Sequence, residues 1–458
     1  MSPSTTSLDA IFKAYDIRGV YPDQIDESVA RLVGNAFVGF TGARRVLVGR
    51  DARPSSEPLT AAFSDGATAA GADVVDLGLA STDLVYFASG DADAPGAMFT
   101  ASHNPAEYNG IKLCRAGAAP VGVETGLADI KAAVADGRFE TSATPGRVER
   151  RDLLPEFVTH VRSFIDTDAL AGQRIVADTA NGLGGLIVPA VFDGLPVDVD
   201  LLFGELDGTF PNHPADPIQP ENLRDLQARI LERDADVGLA FDGDADRVFL
   251  VDDRAEPLSG SLTTAIVAAS ILGRLPAEAS DADRTVVYNL ICSKAVPEIV
   301  RELGGTPVRS RVGHSFIKQV MADTGARFGG EHSGHYYFRD NFRADSGIIA
   351  ALVTLETLAR SGVTLSELRR RYERYAQSGE INRQVPDPTA AIERIAAAHA
   401  GAAQDRLDGL TVDHGAWWFN VRPSNTEPLL RLNVEAPDQA SCRQHTDEVL
   451  ALVAGEAD

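Results

Sequence analysis

Three aspartates at alternating positions, Asp242, Asp244 and Asp246, stand in the run Phe241-Asp-Gly-Asp-Ala-Asp-Arg247 between two apolar segments. In a loop at a strand end such carboxylates can point at one centre, and their mutual repulsion demands a cation. With no histidine or cysteine among them the donors are hard oxygens, which suit Mg²⁺ or Ca²⁺. The calcium helix-loop-helix pattern fits poorly. Its sixth position should be glycine and is Arg247; its twelfth should be glutamate and is Asp253. Arg247 beside the triad favours Mg²⁺ shared with a phosphate, because Mg²⁺ is usually held by few carboxylates together with phosphate oxygens.

Three further loops carry polar groups in useful sets. In Thr100-Ala-Ser-His-Asn-Pro105, Pro105 turns Asn104 away from helix, so Ser102 and His103 sit in a loop after the strand-like Ala97-Met-Phe. Lys112 follows in Asn109-Gly-Ile-Lys. No Gly-x-Ser-x-Gly elbow surrounds Ser102, so a hydrolase triad is not supported. In Gly329-Gly-Glu-His-Ser-Gly-His335, the residues Glu331, Ser333 and His335 alternate, which predicts one face offering an acceptor, a hydroxyl and an imidazole. That set suits the hydroxyls of a sugar. Upstream, Arg311-Val-Gly-His314 brings another histidine to a strand end. Finally, Arg422-Pro-Ser-Asn-Thr-Glu-Pro428 combines the planar fork of Arg422 with the neutral donors of Ser424, Asn425 and Thr426. With successive backbone N–H groups in a turn, it makes a phosphate cradle.

The elements that must position these loops recur. A β-branched run begins at Arg45, Arg174 and Arg284, each followed by a helical or apolar stretch and then a second apolar run. Strands alternating with helices imply βαβ units and largely buried sheets. Three α/β domains of similar construction are expected, followed by a smaller α+β domain with strands near Leu410, Ala416 and Leu429 and a closing helix from Ala440 to Val453. The arginine-rich stretch Leu365 to Gln377 reads as a solvated helix, and Met1 to Asp9 as a frayed tail without the regions of a signal peptide.

The chain has 458 residues, enough for several cores, and a formal net charge of −24. That charge argues against nonspecific nucleic-acid binding and against an anionic membrane surface. Only five of the 42 basic residues are lysine, namely Lys13, Lys112, Lys131, Lys294 and Lys318. No apolar run is long enough to span a bilayer. Cys114, Cys292 and Cys442 are scattered and odd in number, which indicates neither disulfides nor zinc and suits a reduced, cytoplasmic protein.

Together the four loops, in the order TASHNP, DGDADR, GEHSGH and RPSNTEP, resemble those of the α-D-phosphohexomutase superfamily, and within it the bacterial phosphomannomutase/phosphoglucomutase group. The resemblance covers essentially the whole chain, beginning at Phe12-Lys-Ala-Tyr-Asp-Ile-Arg-Gly19. It implies three similar mixed α/β domains and a smaller α+β domain around a central cleft, divided here at residues 1–150, 151–254, 255–370 and 371–458.

By resemblance, Ser102 carries the phosphoryl group, and Asp242, Asp244 and Asp246 hold one Mg²⁺ ion per chain together with that phosphoserine. Glu331 and Ser333 bind sugar hydroxyls, while Arg422, Ser424, Asn425 and Thr426 grip the phosphate already on the substrate. Tyr15, Arg18, Lys112, Arg247, His314 and His335 match cleft positions, and Lys294 matches with a shorter following loop.

The reaction implied interconverts a hexose 1-phosphate and 6-phosphate through phosphoserine and a hexose 1,6-bisphosphate, which also serves as activator. Lys112 and His314 are expected to handle protons, with Arg247 as electrostatic support and His103 beside the serine. Phosphoglucosamine mutases resemble this chain less, having Gly at the position of Asn425 and Gln at that of His332. Mannose is the expected preference, with glucose accepted. The alternatives are a phosphoglucosamine mutase or a Mg²⁺-dependent sugar phosphatase. The expected partner is a small sugar phosphate, not nucleic acid or membrane, and the expected state is monomer or homodimer.

Overall fold

The computed structural model describes residues 5–423 and 429–455. In the first unit, strand Asp73–Leu79 lies parallel to Arg45–Arg50, which lies parallel to Gly96–Phe99; Tyr108–Arg115 then pairs antiparallel with Gly96–Phe99. The β-branched Val46, Val48, Val74 and Val75 are buried, as strands covered on both faces require. Helices Ser56–Ala69 and Thr82–Asp91 make the two crossovers.

The second unit repeats this order and sense with Asp198–Leu202, Arg174–Asp178, Val237–Phe241 and Val248–Asp252. The third does so with Thr306–Ser310, Thr285–Asn289, Phe328–Gly330 and Tyr336–Phe338. In each the spatial order is fourth, third, first, second, with only the fourth strand antiparallel to its neighbour. The first sheet is widened by Ile17–Val20, Ala119–Pro120 and Val148–Arg150.

This topology has a direct consequence for the site. The turn from third to fourth strand is residues 100–107 in the first unit, 242–247 in the second and 331–335 in the third. Three of the four chemically loaded loops are therefore one turn, repeated. One apolar core runs through all three units, including Leu47 and Met98, Ile175 and Leu239, and Val286 and Phe328. A continuous core holds the three turns in fixed relation.

The fourth domain is an antiparallel sheet in the order Ala376–Gln377, Leu429–Ala436, Trp418–Pro423, Leu410–Asp413, Ala403–Asp405, with Ile381–Gln384 also pairing Leu429–Ala436. Helices Pro388–Ala398 and Gln439–Ala454 cover it through Ile395, Val449 and Val453. The first of these helices and the strand Ile381–Gln384 escape the sequence reading, because alanine-rich and charged segments carry no clear period.

Two expectations are corrected. The expected frayed tail, Met1 to Asp9, overlaps helix Thr5–Ile11, which is anchored by Leu8 and Ile11, both fully buried. The expected solvated helix from Leu365 to Gln377 stops at Leu368, followed by a 3₁₀ turn at Arg369–Arg371 and a strand at Ala376–Gln377. Its arginines are pulled to carboxylates on different elements, Arg369 to Asp252 and Arg374 to Glu298 and Glu302, so the stretch is pinned between units. The three cysteines are buried and unpaired. Among the described residues, no single helix is long and apolar enough to cross a membrane.

Candidate active site

Ser102 stands in the turn of the first unit with φ +50, a left-handed conformation that costs a non-glycine residue about 1–2 kcal/mol. Its hydroxyl donates to Asp242 Oδ2 at 2.7 Å, which joins the first and second turns. Arg247 closes the group: Nε donates to Asp242 Oδ2 at 2.8 Å, and Nη2 to Ser102 Oγ at 3.3 Å and to His103 Nδ1 at 2.8 Å. A guanidinium can only donate, so Nδ1 of His103 is an acceptor and its ring proton sits on Nε2.

The aspartates of the second turn are buried, and Ala245 between them takes φ +59. Lys112, on the fourth strand of the first unit, reaches Asp244 Oδ2 at 2.6 Å and Asp246 Oδ2 at 2.7 Å. Burial opposes its charge, but those two carboxylates outweigh it and hold the ammonium well above the usual lysine value. Burial pushes Asp242 up to about 7 in spite of Arg247, with Asp244 and Asp246 adding to the rise. Asp244 is also buried, yet the Lys112 charge and the donors of Lys112 and Thr82 hold it well below the carboxylate range.

The triad fits a divalent cation. Oxygens of Asp242, Asp244 and Asp246 lie within 4.8 Å of one another, and Asp244 Oδ1 and Asp246 Oδ1 are buried without a hydrogen-bond partner. Buried acceptors left without donors are costly unless a cation completes them.

Sequence reasoning missed the groups that steady this turn. Thr82 Oγ1 donates to Asp244 Oδ2 at 2.6 Å, and Thr82 N to the Asp244 carbonyl at 3.1 Å. Ser81 caps the same helix, and Asp83 accepts from Ser346 of the third unit at 2.6 Å. Ser81-Thr82-Asp83 thus ties three units together. The only signal was a Ser before a helix, a common cap.

In the third turn, alternation does not describe the geometry. Glu331 N donates to the His335 carbonyl at 2.9 Å, closing a tight loop instead of an extended face. Glu331 is buried; Oε2 accepts from Asn289 Nδ2 at 3.0 Å and Gly313 N at 3.2 Å, and Oε1 from the Tyr337 hydroxyl. Three donors leave lone-pair capacity on Oε1 for one more. Ser333 lies between Glu331 and His335 and is partly exposed.

His335 Nδ1 meets Asp345 Oδ2 at 2.8 Å and lies 3.9 Å from Asp246 Oδ1. Lys318 holds the other oxygen of Asp345 at 2.8 Å and stands 3.9 Å from the centroid of the Tyr86 ring. Burial, then the Lys318 charge, keeps the His314 imidazole well below its ordinary value. Its ring meets that of Tyr15 edge-on at 5.3 Å, and the Tyr15 hydroxyl donates to the Val312 carbonyl at 3.3 Å.

The remaining expected residues are spread more widely. Arg18 donates to Asn104 Oδ1 at 2.6 Å and pairs with Asp16. Lys294 turns its ammonium to Asp413 at 2.7 Å and the Gly415 carbonyl at 3.1 Å, linking the third unit to the fourth domain. Arg422 is buried and pairs with Glu380 at 2.8 Å. Ser424, Asn425 and Thr426 lie outside the described residues.

A thrice-repeated α/β unit that brings a serine, an acidic triad and a histidine-bearing turn to one place, with a smaller fourth domain, defines a phosphohexomutase. Four domain models match in chain order: phosphoglucomutase/phosphomannomutase alpha/beta/alpha domains I, II and III over residues 9–141, 155–256 and 259–375, and the C-terminal domain over 380–452. The phosphomannomutase of Salmonella montevideo is 37% identical over 454 residues, covering 96% of this chain and 98% of its own. The phosphohexose mutases of Xanthomonas campestris pv. campestris reach 39% over 450 residues, covering 97% and 99%. A crystal structure of a phosphoglucomutase/phosphomannomutase family protein from Burkholderia thailandensis superposes with TM-score 0.87 at 32% identity, covering 98% of each chain. The chain belongs to the phosphoglucomutase/phosphomannomutase family.

Proposed function

We propose that the protein interconverts hexose 1-phosphate and hexose 6-phosphate, with mannose preferred and glucose accepted, through a phosphoryl group carried on Ser102 and a hexose 1,6-bisphosphate intermediate. The observation that carries this reading is Ser102 Oγ, buried, bonded to Asp242 at 2.7 Å and faced by Arg247 at 3.3 Å. Phosphoryl transfer asks for a placed oxygen nucleophile and positive charge on the equatorial oxygens.

Asp242, Asp244 and Asp246 would hold Mg²⁺. When bound, the ion neutralises charge on the phosphoryl oxygens. Arg247 adds a planar charge fixed by Asp242, and Arg18, tied to the Ser102 loop through Asn104, stands ready for substrate phosphate. Arg422, with Ser424, Asn425 and Thr426, would take the distal phosphate, and Glu331 and Ser333 the sugar hydroxyls. His335 is oriented by Asp345, and Tyr15 is set against His314.

Two groups are suited to the protons. Lys112 is held as the ammonium and suits donation; His314 is held neutral and suits acceptance. The partner is then a small sugar phosphate, and the net charge of −24 argues against nucleic acid or an anionic membrane in that place.

The test mixes the protein with mannose 1-phosphate, Mg²⁺ and a trace of hexose 1,6-bisphosphate. Mannose 6-phosphate is expected, with Ser102→Ala removing nearly all of it. Release of free phosphate at the same rate as isomerisation would replace the mutase with a sugar phosphatase.

A further inference from the structure

Arg53 lies three residues beyond strand Arg45–Arg50, and its side chain is wholly buried against Asp51. A guanidinium carries five N–H donors, and here every one has an acceptor. Nε donates to Asp51 Oδ2 at 3.0 Å. Nη1 donates to the carbonyls of Pro105 at 2.6 Å and Tyr108 at 3.1 Å. Nη2 donates to those of Ser102 at 2.8 Å and Asn104 at 2.7 Å. An ion pair with Asp51 would need only the first of these. The other four gather one loop onto a single planar group.

That loop is the Ser102 turn. Three of its carbonyls, together with that of Tyr108 at the start of the next strand, point inward at one cation, which holds the course of the backbone where Ser102 takes φ +50. The second unit closes over the same clamp. A Cβ on Gly243 would fall 2.5 Å from the Ser102 carbonyl oxygen, and one on Gly208 would fall 2.3 Å from Arg53 Cα. The Phe210 ring stands 5.0 Å from the guanidinium. Arg53 therefore sits where the serine turn and the second unit meet.

We propose that Arg53 is the positioning residue for Ser102: by gathering the carbonyls of Ser102, Asn104, Pro105 and Tyr108 it aims Oγ for in-line phosphoryl transfer. This rests on the reading of Ser102 as the phosphoryl carrier. Lysine cannot substitute, because its donors radiate from one atom and cannot span four carbonyls in a plane.

The test is Arg53→Lys in the full chain, which keeps a cation opposite Asp51. Three quantities are read: kcat, sugar-phosphate affinity by calorimetry, and the rate at which hexose 1,6-bisphosphate phosphorylates Ser102, followed by intact mass. A misplacement of about 1 Å lowers rate by about 100-fold, so kcat and the phosphorylation rate should fall together by that factor, with affinity changed by less than about threefold. Should lysine prevent folding, Asp51→Asn/Arg53→Gln removes both buried charges at once and should show the same loss. Phosphorylation within about threefold of wild type in a folded variant would overturn the proposal. A wild-type protein that takes up no phosphoryl group on Ser102 would overturn the reading of Ser102 itself, and the positioning role with it.

Discussion

Ser102 Oγ and Asp242 Oδ2 lie 2.7 Å apart although 140 residues separate them in the chain. The bond crosses from the turn of one unit to the same turn of the next. It is made possible by Gly243, whose missing side chain lets the second turn rest on the Ser102 carbonyl. Proposed nucleophile and proposed metal ligand are thus set by the packing of two units.

Gly243→Ala tests that packing directly. Its Cβ would lie 2.5 Å from the Ser102 oxygen, too close for contact, and a backbone atom must move. Overpacking of this kind costs about 1–3 kcal/mol. A lower melting temperature and a turnover reduced by about tenfold or more are expected, because a small displacement of the serine is amplified in rate. Unchanged turnover would mean that the two turns are not held in register by this contact.

Chelation of divalent cations should stop isomerisation while leaving the fold intact. Lys112 and Arg247 already pair with the aspartates, so the empty triad is not three unpaired buried charges. Excess EDTA is expected to bring activity to background, Mg²⁺ to restore it, and the melting temperature to fall while the chain stays folded at assay temperature, since two buried carboxylate oxygens lose the cation that would complete them. Asp244→Asn should lower turnover by about 100-fold at saturating Mg²⁺.

Thr82→Val keeps the shape of the side chain and removes the 2.6 Å hydrogen bond to Asp244 Oδ2. Groups that orient a metal ligand typically change metal affinity by about 10–100-fold when lost. The Mg²⁺ concentration for half-maximal activity should rise by about tenfold, with less effect on turnover at saturating Mg²⁺. A titration of activity against Mg²⁺ decides it.

Lys112→Met and His314→Ala address the protons. Each should lower kcat by about 100-fold if that residue moves a proton in the transition state. Near-normal turnover in both variants would remove them from the chemistry. Loss in only one would leave the proton to a single group acting in both half-reactions.

His213 should make stability depend on pH. Nδ1 faces the Pro214 carbonyl at 2.8 Å and Nε2 the Asp178 carboxylate at 3.0 Å, so both nitrogens meet acceptors. Burial opposes the charge, but Asp178 outweighs it and raises the His213 value. A raised histidine gives stability that is fully present below its unfolded value of about 6.5 and lost as pH climbs through the folded one. The urea midpoint of wild type should therefore exceed that of His213→Gln at about pH 5.5, and the gap should shrink by about pH 8.5. A gap that widened with pH would contradict the pairing.

The sequence by itself determined what was local. Buried β-branched runs at Arg45, Arg174 and Arg284 announced three α/β units, because period and side-chain shape specify strands without help from elsewhere. The DGDADR run announced a candidate metal site, because like charges at that spacing ask for a cation. Tertiary structure alone decided which groups meet. Thr82, Arg53 and Asp83 carry no distinctive motif, and each matters through a partner far away in the chain. It also turned Glu331 inward, where three donors converge from separate elements, and drew Lys294 to Asp413 in the fourth domain. The physical reason is one of range. Propensity and charge spacing act within a few residues, whereas hydrogen bonds in a buried site are selected by how whole units pack.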